Sequence, residues 1–473
     1  KKLDNYNEYI KILEELASYY PQHHYSRLAF KAIQSLNKQK KYYPSLSFLK
    51  KLSLNIPIEP SITEFIEKTI MLPIRNNNEI TTLSIEQQII FILSLRLPSD
   101  VYIRYANKLD KTNKNDINSN KYKASLLILR SDLYSKAKDF KNAKSSLEQY
   151  IHQFPNGIRI NLVKEKLARI YKKESDFDTA SKIYEELFFK KYITARTGWE
   201  YFLCTYLSKN YTKAIKVLEK VKYKLQEKNA DVSLDPLILK YWYAKTLENL
   251  NDKINAQKIY IEIIQQNPYS YYSYLIYTYK KDLIESYNIK IPHLTLLANN
   301  NLSDANTQIF INAKKYYHKI YSDLINSVQI HPALIEGVIS IESNFKNTAI
   351  SNMGAMGLMQ IIPSTAISIA KQLNTDEFFN IKDLFNPIVN ICYGSYYMQY
   401  LKQKYNNNLI LILSAYNAGE EKTDEWVKYY NNASMDELVE LIPYKETRQY
   451  VKKVIHSSLK NILALNNLNV SYN

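Results

Sequence analysis

Glycine is scarce in this chain: seven occur in 473 residues, and five of them, Gly337, Gly354, Gly357, Gly394 and Gly419, fall in the last third. Residues 1–312 hold only Gly157 and Gly198 among abundant Leu, Ile, Lys, Glu and Tyr, which predicts helix almost throughout. Cysteine is scarcer still. Cys204 and Cys392 stand far apart, so no disulfide is expected between them and both are expected to be buried small apolar residues. No run of about 18 apolar residues exists, so no segment is expected to span a membrane. Among seven histidines there is no HExxH or Cys/His ligand spacing, and GxGxxG and GxxxxGK are both missing, so neither metal nor nucleotide cofactor is expected. The chain opens Lys-Lys instead of Met, which is expected of a processed or trimmed start and makes a missing signal peptide uninformative.

Negative charge is in short supply too, giving a net +17. From Ala313 onward 15 Lys+Arg face 14 Asp+Glu, which leaves 48 against 32 in residues 1–312. The basic surface therefore belongs to the N-terminal region. It favours a polyanionic partner (nucleic acid, an acidic wall polymer or lipid head groups), although a general bias toward Lys, Asn, Ile and Tyr accounts for it equally well.

Amphipathic helices are predicted at Asn5–Tyr20, Ser26–Leu36, Ser61–Met71 and Ser84–Leu95, punctuated by prolines, and Lys111–Lys121 is a polar run expected to be an exposed loop. From Tyr122 to about Pro268 the segments DFKNAKSSLEQYIHQFP, DFDTASKIYEELF, NYTKAIKVLEKV and DKINAQKIYIEIIQQNP align on Ala143, Ala180, Ala214 and Ala256, spaced 37, 34 and 42 residues apart. A repeat of that length with a small residue at one register predicts tetratricopeptide-type helix pairs stacked into a solenoid. Tyr241, Tyr243 and Tyr269–Tyr274 are expected to be solenoid core or lining. An aromatic helix followed by the polar LANNNLSDANTQ marks the joint to a C-terminal domain.

The richest stretch is His331–Gln360, HPALIEGVISIESNFKNTAISNMGAMGLMQ. Its first half is predicted helical, with Pro332 in the first turn. At ~100° per residue Ile335, Val338 and Ile339 fall within roughly 60° of the Glu342 direction, so this carboxyl is turned into the apolar face. No charged residue lies between Lys346 and Lys371 to neutralise it. A raised pKa follows, the property of a general acid. Farther on, the buried helix NLILILSAYNAGE is expected to end with Gly419 in a left-handed cap, leaving Tyr416 and Asn417 at a buried helix end, and IPYKETRQYV offers Glu446, Arg448 and Tyr450.

ESNF, GAMGLMQIIPSTA, FNPIVNICYGSYYMQYL, LSAYNAG and IPYKETRQYV stand in the order and approximate spacing of the soluble lytic transglycosylases, and residues 313–463 resemble that family. The resemblance implies an all-α protein: an N-terminal α-superhelix of helix pairs (1–268), a helical linker region (269–312) and a lysozyme-like catalytic domain (313–473). It implies a periplasmic, monomeric bacterial enzyme that acts on peptidoglycan glycan strands beside wall-synthesis or remodelling proteins, with no nucleic-acid partner. By position in the motifs, Glu342 takes the place of the single catalytic acid/base. Ser351, Met359 and Gln360 take places lining the cleft, Tyr416 and Asn417 the places beside the carboxyl and the N-acetyl group, and Glu446 and Tyr450 further sugar-contacting places. Glu377, Asp383, Glu420 and Asp424 sit in polar surroundings, so one acid is expected to serve both steps of a non-hydrolytic cleavage that yields a 1,6-anhydro end. A hydrolase of the same fold, and a solenoid adaptor for an anionic polymer, remain the alternatives.

Overall fold

Four helical hairpins show how the repeat is built. In the computed structural model, which describes residues 9–14, 17, 24–39, 44–53, 65–66, 74–76, 79–81, 85–95, 97–112, 120–189, 195–225, 235–289, 330–351 and 353–470, the chain divides into two compact units, Lys1–Ile193 and Thr194–Asn473. The first contains α1 (His24–Lys38), α2 (Leu46–Ser53), strands β1 (Ile74–Asn76) and β2 (Glu79–Thr81), then α3 (Ile85–Ser94), α4 (Ser99–Thr112), α5 (Asn120–Lys136), α6 (Phe140–Gln153), α7 (Ile160–Lys173) and α8 (Phe177–Phe188). The second contains α9 (Ala195–Leu207), α10 (Tyr211–Leu225), α11 (Pro236–Asn249), α12 (Lys253–Gln266), α13 (Tyr271–Tyr279) and α14 (Lys281–Ser286). There follow α15 (Pro332–Glu342), α16 (Pro363–Gln372), a 3-10 turn (Ile381–Phe385), α17 (Pro387–Lys404), α18 (Leu409–Ala418), α19 (Glu420–Tyr429), α20 (Met435–Leu441) and α21 (Lys445–Val470).

The hairpins α5/α6, α7/α8, α9/α10 and α11/α12 share one turn. Lys138, Ser175, Lys209 and Asn251 all take a left-handed φ of 62° to 66°, and each is followed by a capping residue. Asp139, Asp176, Asn210 and Asp252 accept the backbone N–H three residues on, at 3.1 to 3.3 Å. Four residues past each cap sits Ala143, Ala180, Ala214 or Ala256, each at most 1 % exposed, where the absence of a longer side chain lets the partner helix close in. Trp242 fills the core of the second unit, its ring 5.1 to 6.2 Å from those of Trp199, Phe202, Tyr206 and Tyr241. Tyr241 and Tyr271–Tyr274 are buried as well.

The expectation of helix almost throughout the N-terminal region holds, and its one interruption by strand among the described residues is a short hairpin. β1 and β2 pair antiparallel, Ile74 opposite Thr81 and Asn76 opposite Glu79. Ile74, Ile80 and Thr81 favour strand. α1 and α3 answer to the predicted Ser26–Leu36 and Ser84–Leu95 helices, whereas most of Asn5–Tyr20 and Ser61–Met71, residues 113–119 of the polar loop and all of LANNNLSDANTQ lie outside the described residues. Among the described residues no helix is long and apolar enough to cross a membrane. Cys204 and Cys392 are buried and form no disulfide.

In the C-terminal part α15 lies along α21, with α18 packed between α21, α17 and α19. The α15/α21 crossing is tight at Gly337, where a Cβ would fall 2.3 Å from Ser458 Oγ, 3.1 Å from its backbone nitrogen and 3.2 Å from the Val454 carbonyl. His331 caps α15, its Nδ1 accepting the Ala333 N–H at 3.1 Å. Gly337→Ala should push the two helices apart and cost about 1–3 kcal/mol, seen as a lower urea midpoint, with Gly337→Val worse. An unchanged midpoint would show that the crossing is slack.

Candidate active site

Glu342 is the last residue of α15. Ile335, Val338 and Ile339 on its face are at most 1 % exposed, and just beyond it Asn344 and Phe345 take left-handed φ values of 49° and 62° that turn the chain away. The carboxyl is half-buried. Burial, with added repulsion from the Glu446 carboxylate, pushes its pKa up to about 7 against the opposing pull of the Tyr450 hydroxyl. Tyr450 is itself buried, and its Oη faces Glu342 without completing a well-formed hydrogen bond to any described residue. Tyr416 stands near the same carboxyl: burial and the Glu342 charge hold its phenol far above the ordinary range, and its Oη donates to the Met359 carbonyl at 2.8 Å. The Tyr416 ring leans on Tyr397, with centroids 5.7 Å apart.

Residues 349–361 form the adjoining loop, tied by isolated bridges from Met356 to Ile350 and to Ile361. The Ser351 hydroxyl accepts the backbone N–H groups of Met353 (3.3 Å) and Ala355 (3.0 Å), so its own hydrogen remains to be donated. Gln360, at φ 50°, donates its amide to the carbonyls of Ala349 (3.1 Å) and Gly357 (2.8 Å), which leaves Oε1 as an acceptor. Met359 reaches the site through its carbonyl; its side chain is fully buried against Gly394 of α17. At Gly357, φ 79°, a Cβ would lie 2.2 Å from both Asn390 Nδ2 and the Leu384 carbonyl.

Two residues essential to this arrangement escaped the motif reading. Asn390 is completely buried inside α17, where Oδ1 accepts the Met359 N–H at 2.7 Å and Nδ2 donates to the carbonyls of Met356 (2.8 Å) and Leu384 (2.9 Å). An amide in the middle of an apolar helix was the available signal. Thr447, also buried, donates to Asn417 Oδ1 at 2.7 Å and so ties α18 to α21.

The structure thus gathers Glu342, Tyr416, Glu446 and Tyr450 around one carboxyl, fixes Asn417 through Thr447, and sets Ser351, Met359 and Gln360 in the loop beside them. Two expectations change. Gly419 has φ 87° and ψ 155°, an extended glycine conformation that serves as the end of α18 and the start of α19, instead of a left-handed cap. Glu342 is also not the only desolvated acid: burial raises the Glu336 pKa too, but six residues along a helix turn Glu336 some 120° away from the Glu342 face at ~100° per residue. Among the described residues no group of His, Cys, Asp and Glu side chains could hold a metal ion.

Residues 324–439 match the transglycosylase SLT domain family, and residues 127–157 match a tetratricopeptide repeat. The soluble lytic murein transglycosylase of Salmonella typhimurium is 33% identical over 142 residues, 29% of this chain and 22% of that protein. The membrane-bound lytic murein transglycosylase C of Actinobacillus pleuropneumoniae is 32% identical over 145 residues, 26% of this chain and 40% of its own length. The chain therefore spans well under two thirds of these relatives. Among solved structures, the 70-kDa soluble lytic transglycosylase in complex with bulgecin A aligns with 93% of this chain and 76% of its own at 15% identity and a TM-score of 0.49. The lytic transglycosylase Slt of Pseudomonas aeruginosa aligns with 97% and 78% at 19% identity and a TM-score of 0.45.

Because folding raises the Glu342 pKa, it favours the protonated form: the associated stability is complete below the ordinary value of 4.5 and lost as pH rises through about 7. Glu342→Gln should therefore be more stable than the parent at pH 8, by up to about 3 kcal/mol, and close to it at pH 4. Paired urea melts check this; a variant that is less stable at pH 8 would contradict the desolvated carboxyl.

Proposed function

We propose that this chain, whose C-terminal domain belongs to the soluble lytic transglycosylase family, cleaves the β-1,4 bond between N-acetylmuramic acid and N-acetylglucosamine in bacterial peptidoglycan without consuming water. The observation that carries the reading is one half-buried carboxyl whose pKa is raised to about 7, faced by the buried Tyr450 and the half-buried Tyr416. At that pKa Glu342 holds a proton to give and, once it has given it, is a base strong enough to take another.

The steps balance with one acid. Protonated Glu342 delivers its hydrogen to the bridging oxygen, which leaves on the N-acetylglucosamine side as the C–O bond breaks. The substrate's own 2-acetamido oxygen bonds to the anomeric carbon and holds the positive charge. The Glu342 carboxylate then takes the proton of the muramyl 6-hydroxyl, whose oxygen displaces the acetamido oxygen and closes the 1,6-anhydro ring. The acid is regenerated. Ser351 Oγ and the Asn417 amide are placed to orient the acetamido group, Gln360 Oε1 to accept from a sugar hydroxyl, and Tyr416 and Tyr450 to keep the carboxyl poorly hydrated. Glu446, exposed and close enough to repel Glu342, favours a second reading, a hydrolase in which it activates water.

The same reading places the protein in the periplasm as a monomer on glycan strands, beside wall-synthesis or remodelling proteins, with residues 1–268 as superhelix, 269–312 as linker region and 313–473 as catalytic domain. Mass analysis of digested sacculi tests it. Products should be one water lighter than hydrolysis products, and Glu342→Gln should cut the rate about 10³-fold. Hydrated products would move the assignment to the hydrolase, and activity retained in Glu342→Gln would remove it altogether. Cleavage should also fail as pH rises through about 7, where Glu342 loses its proton.

A further inference from the structure

Two buried acids outside the cleft demand an explanation. Asp436 and Glu440 on α20 are 5 % and 6 % exposed, less than Glu342. Asp436 accepts hydrogen bonds from Tyr241 Oη (2.7 Å) and Lys245 Nζ (2.5 Å) of α11 and from Ser434 Oγ (2.5 Å). The Lys245 ammonium also lies 3.6 Å from Glu437. Glu440 accepts from Lys452 Nζ of α21 at 2.6 Å, and the same ammonium donates to Tyr272 Oη of α13 at 3.0 Å while sitting over the Tyr271 and Tyr272 rings. One helical turn on, His456 Nδ1 meets the Tyr269 carbonyl at 2.8 Å.

The Lys452 and His456 contacts fall on the back of α21. Tyr450 and Lys452 are two residues apart, which on a helix separates them by ~200°, while Glu446 and Tyr450, and Lys452 and His456, are four apart and share a side. One side of α21 thus faces Glu342 and the opposite side is bolted to α13. α20 leads through the three residues Ile442, Pro443 and Tyr444 into α21, and Arg448 Nη1 donates back to the Ile442 carbonyl. A carboxylate buried at this depth keeps its place only while its cation is present.

We infer that Lys245 and Lys452 are positioning residues of the cleft: paired with Asp436 and Glu440, they lock α20 and α21 against α11 and α13 and thereby hold Tyr450 in front of Glu342. The inference rests on the reading of Glu342 as the catalytic acid, and it gives the helix pairs before the catalytic domain a part in the chemistry. Removing the Lys245 charge leaves Asp436 unpaired, so α20 moves and carries the start of α21 with it. Tyr450 then drifts from Glu342, whose pKa it holds down.

The test compares wild type, Lys245→Met, Asp436→Asn and the double variant Lys245→Met/Asp436→Asn, reading kcat, KM and the titration of the Glu342 carboxyl by 13C NMR. Lys245→Met should lower kcat about tenfold with little change in KM, and move the Glu342 titration to higher pH. The double variant, in which Asp436 no longer carries a charge without its cation, should recover both to within about twofold of wild type. Tyr241→Phe, which deletes only one hydrogen bond to Asp436, should shift both in the same direction by less, and it serves if Lys245→Met does not fold. A lower melting temperature with unchanged kcat and titration in the variants would overturn the inference, leaving the pair as glue alone. Absence of cleavage by wild type, with the titration still responding to Lys245→Met, would refute the proposed activity and leave the positioning intact.

Discussion

A carboxyl group keeps its proton near neutrality only where folding has removed the water that would solvate its anion, and here the crossing of α15 on α21 does that work. The two helices approach until no Cβ fits at Gly337, and this proximity brings Tyr450 onto the open side of Glu342 while Ile335, Val338 and Ile339 cover the rest. Among the described residues no cation lowers the pKa of the acid, and the charge that does act on it, that of Glu446, has the same sign and pushes the pKa the same way as burial does.

The loop beside the acid is held differently, by saturating polar groups. Asn390 is entirely out of water yet all the hydrogen bonds named for it are made to backbone of the 356–359 loop and the 3-10 turn, so the amide acts as a strut that cannot be replaced by an apolar residue without orphaning three buried groups. Met359 then links the strut to the acid's surroundings, since its N–H meets Asn390 and its carbonyl meets Tyr416. The Ser351 hydrogen and Gln360 Oε1, uncommitted among the described residues, are what a sugar would find.

The repeat is built on a single recurring device: an αL residue, a capping Asp or Asn, and a buried Ala four residues later. α11 and α13 add aromatic rings and hydroxyls that meet the acids of α20 and the Lys452 ammonium. Charge and aromatic packing there belong to the same few side chains, so the helix pairs cannot be shifted without disturbing α21.

Much was legible in the chain as written. Low glycine meant helix, alanines at a regular register meant helix pairs, and apolar residues three, four and seven positions before Glu342 meant a desolvated acid; these are local or periodic properties that one segment carries by itself. The short hairpin Ile74–Thr81, the roles of Asn390 and Thr447, the extended backbone of Gly419 and the left-handed turns at Lys138, Ser175, Lys209 and Asn251 were not. None of those four turn residues is glycine, so composition is silent about them. Three of the four hydrogen bonds that give Asn390 and Thr447 their roles run to partners 30 or more residues away in sequence. So the sequence by itself determined the helical class and the desolvation of Glu342, both set by neighbours within a few turns. Tertiary structure alone decided which tyrosines face that acid, how its loop is braced, and which distant lysines hold the far side of its cleft, because each depends on segments that meet only when the chain has folded.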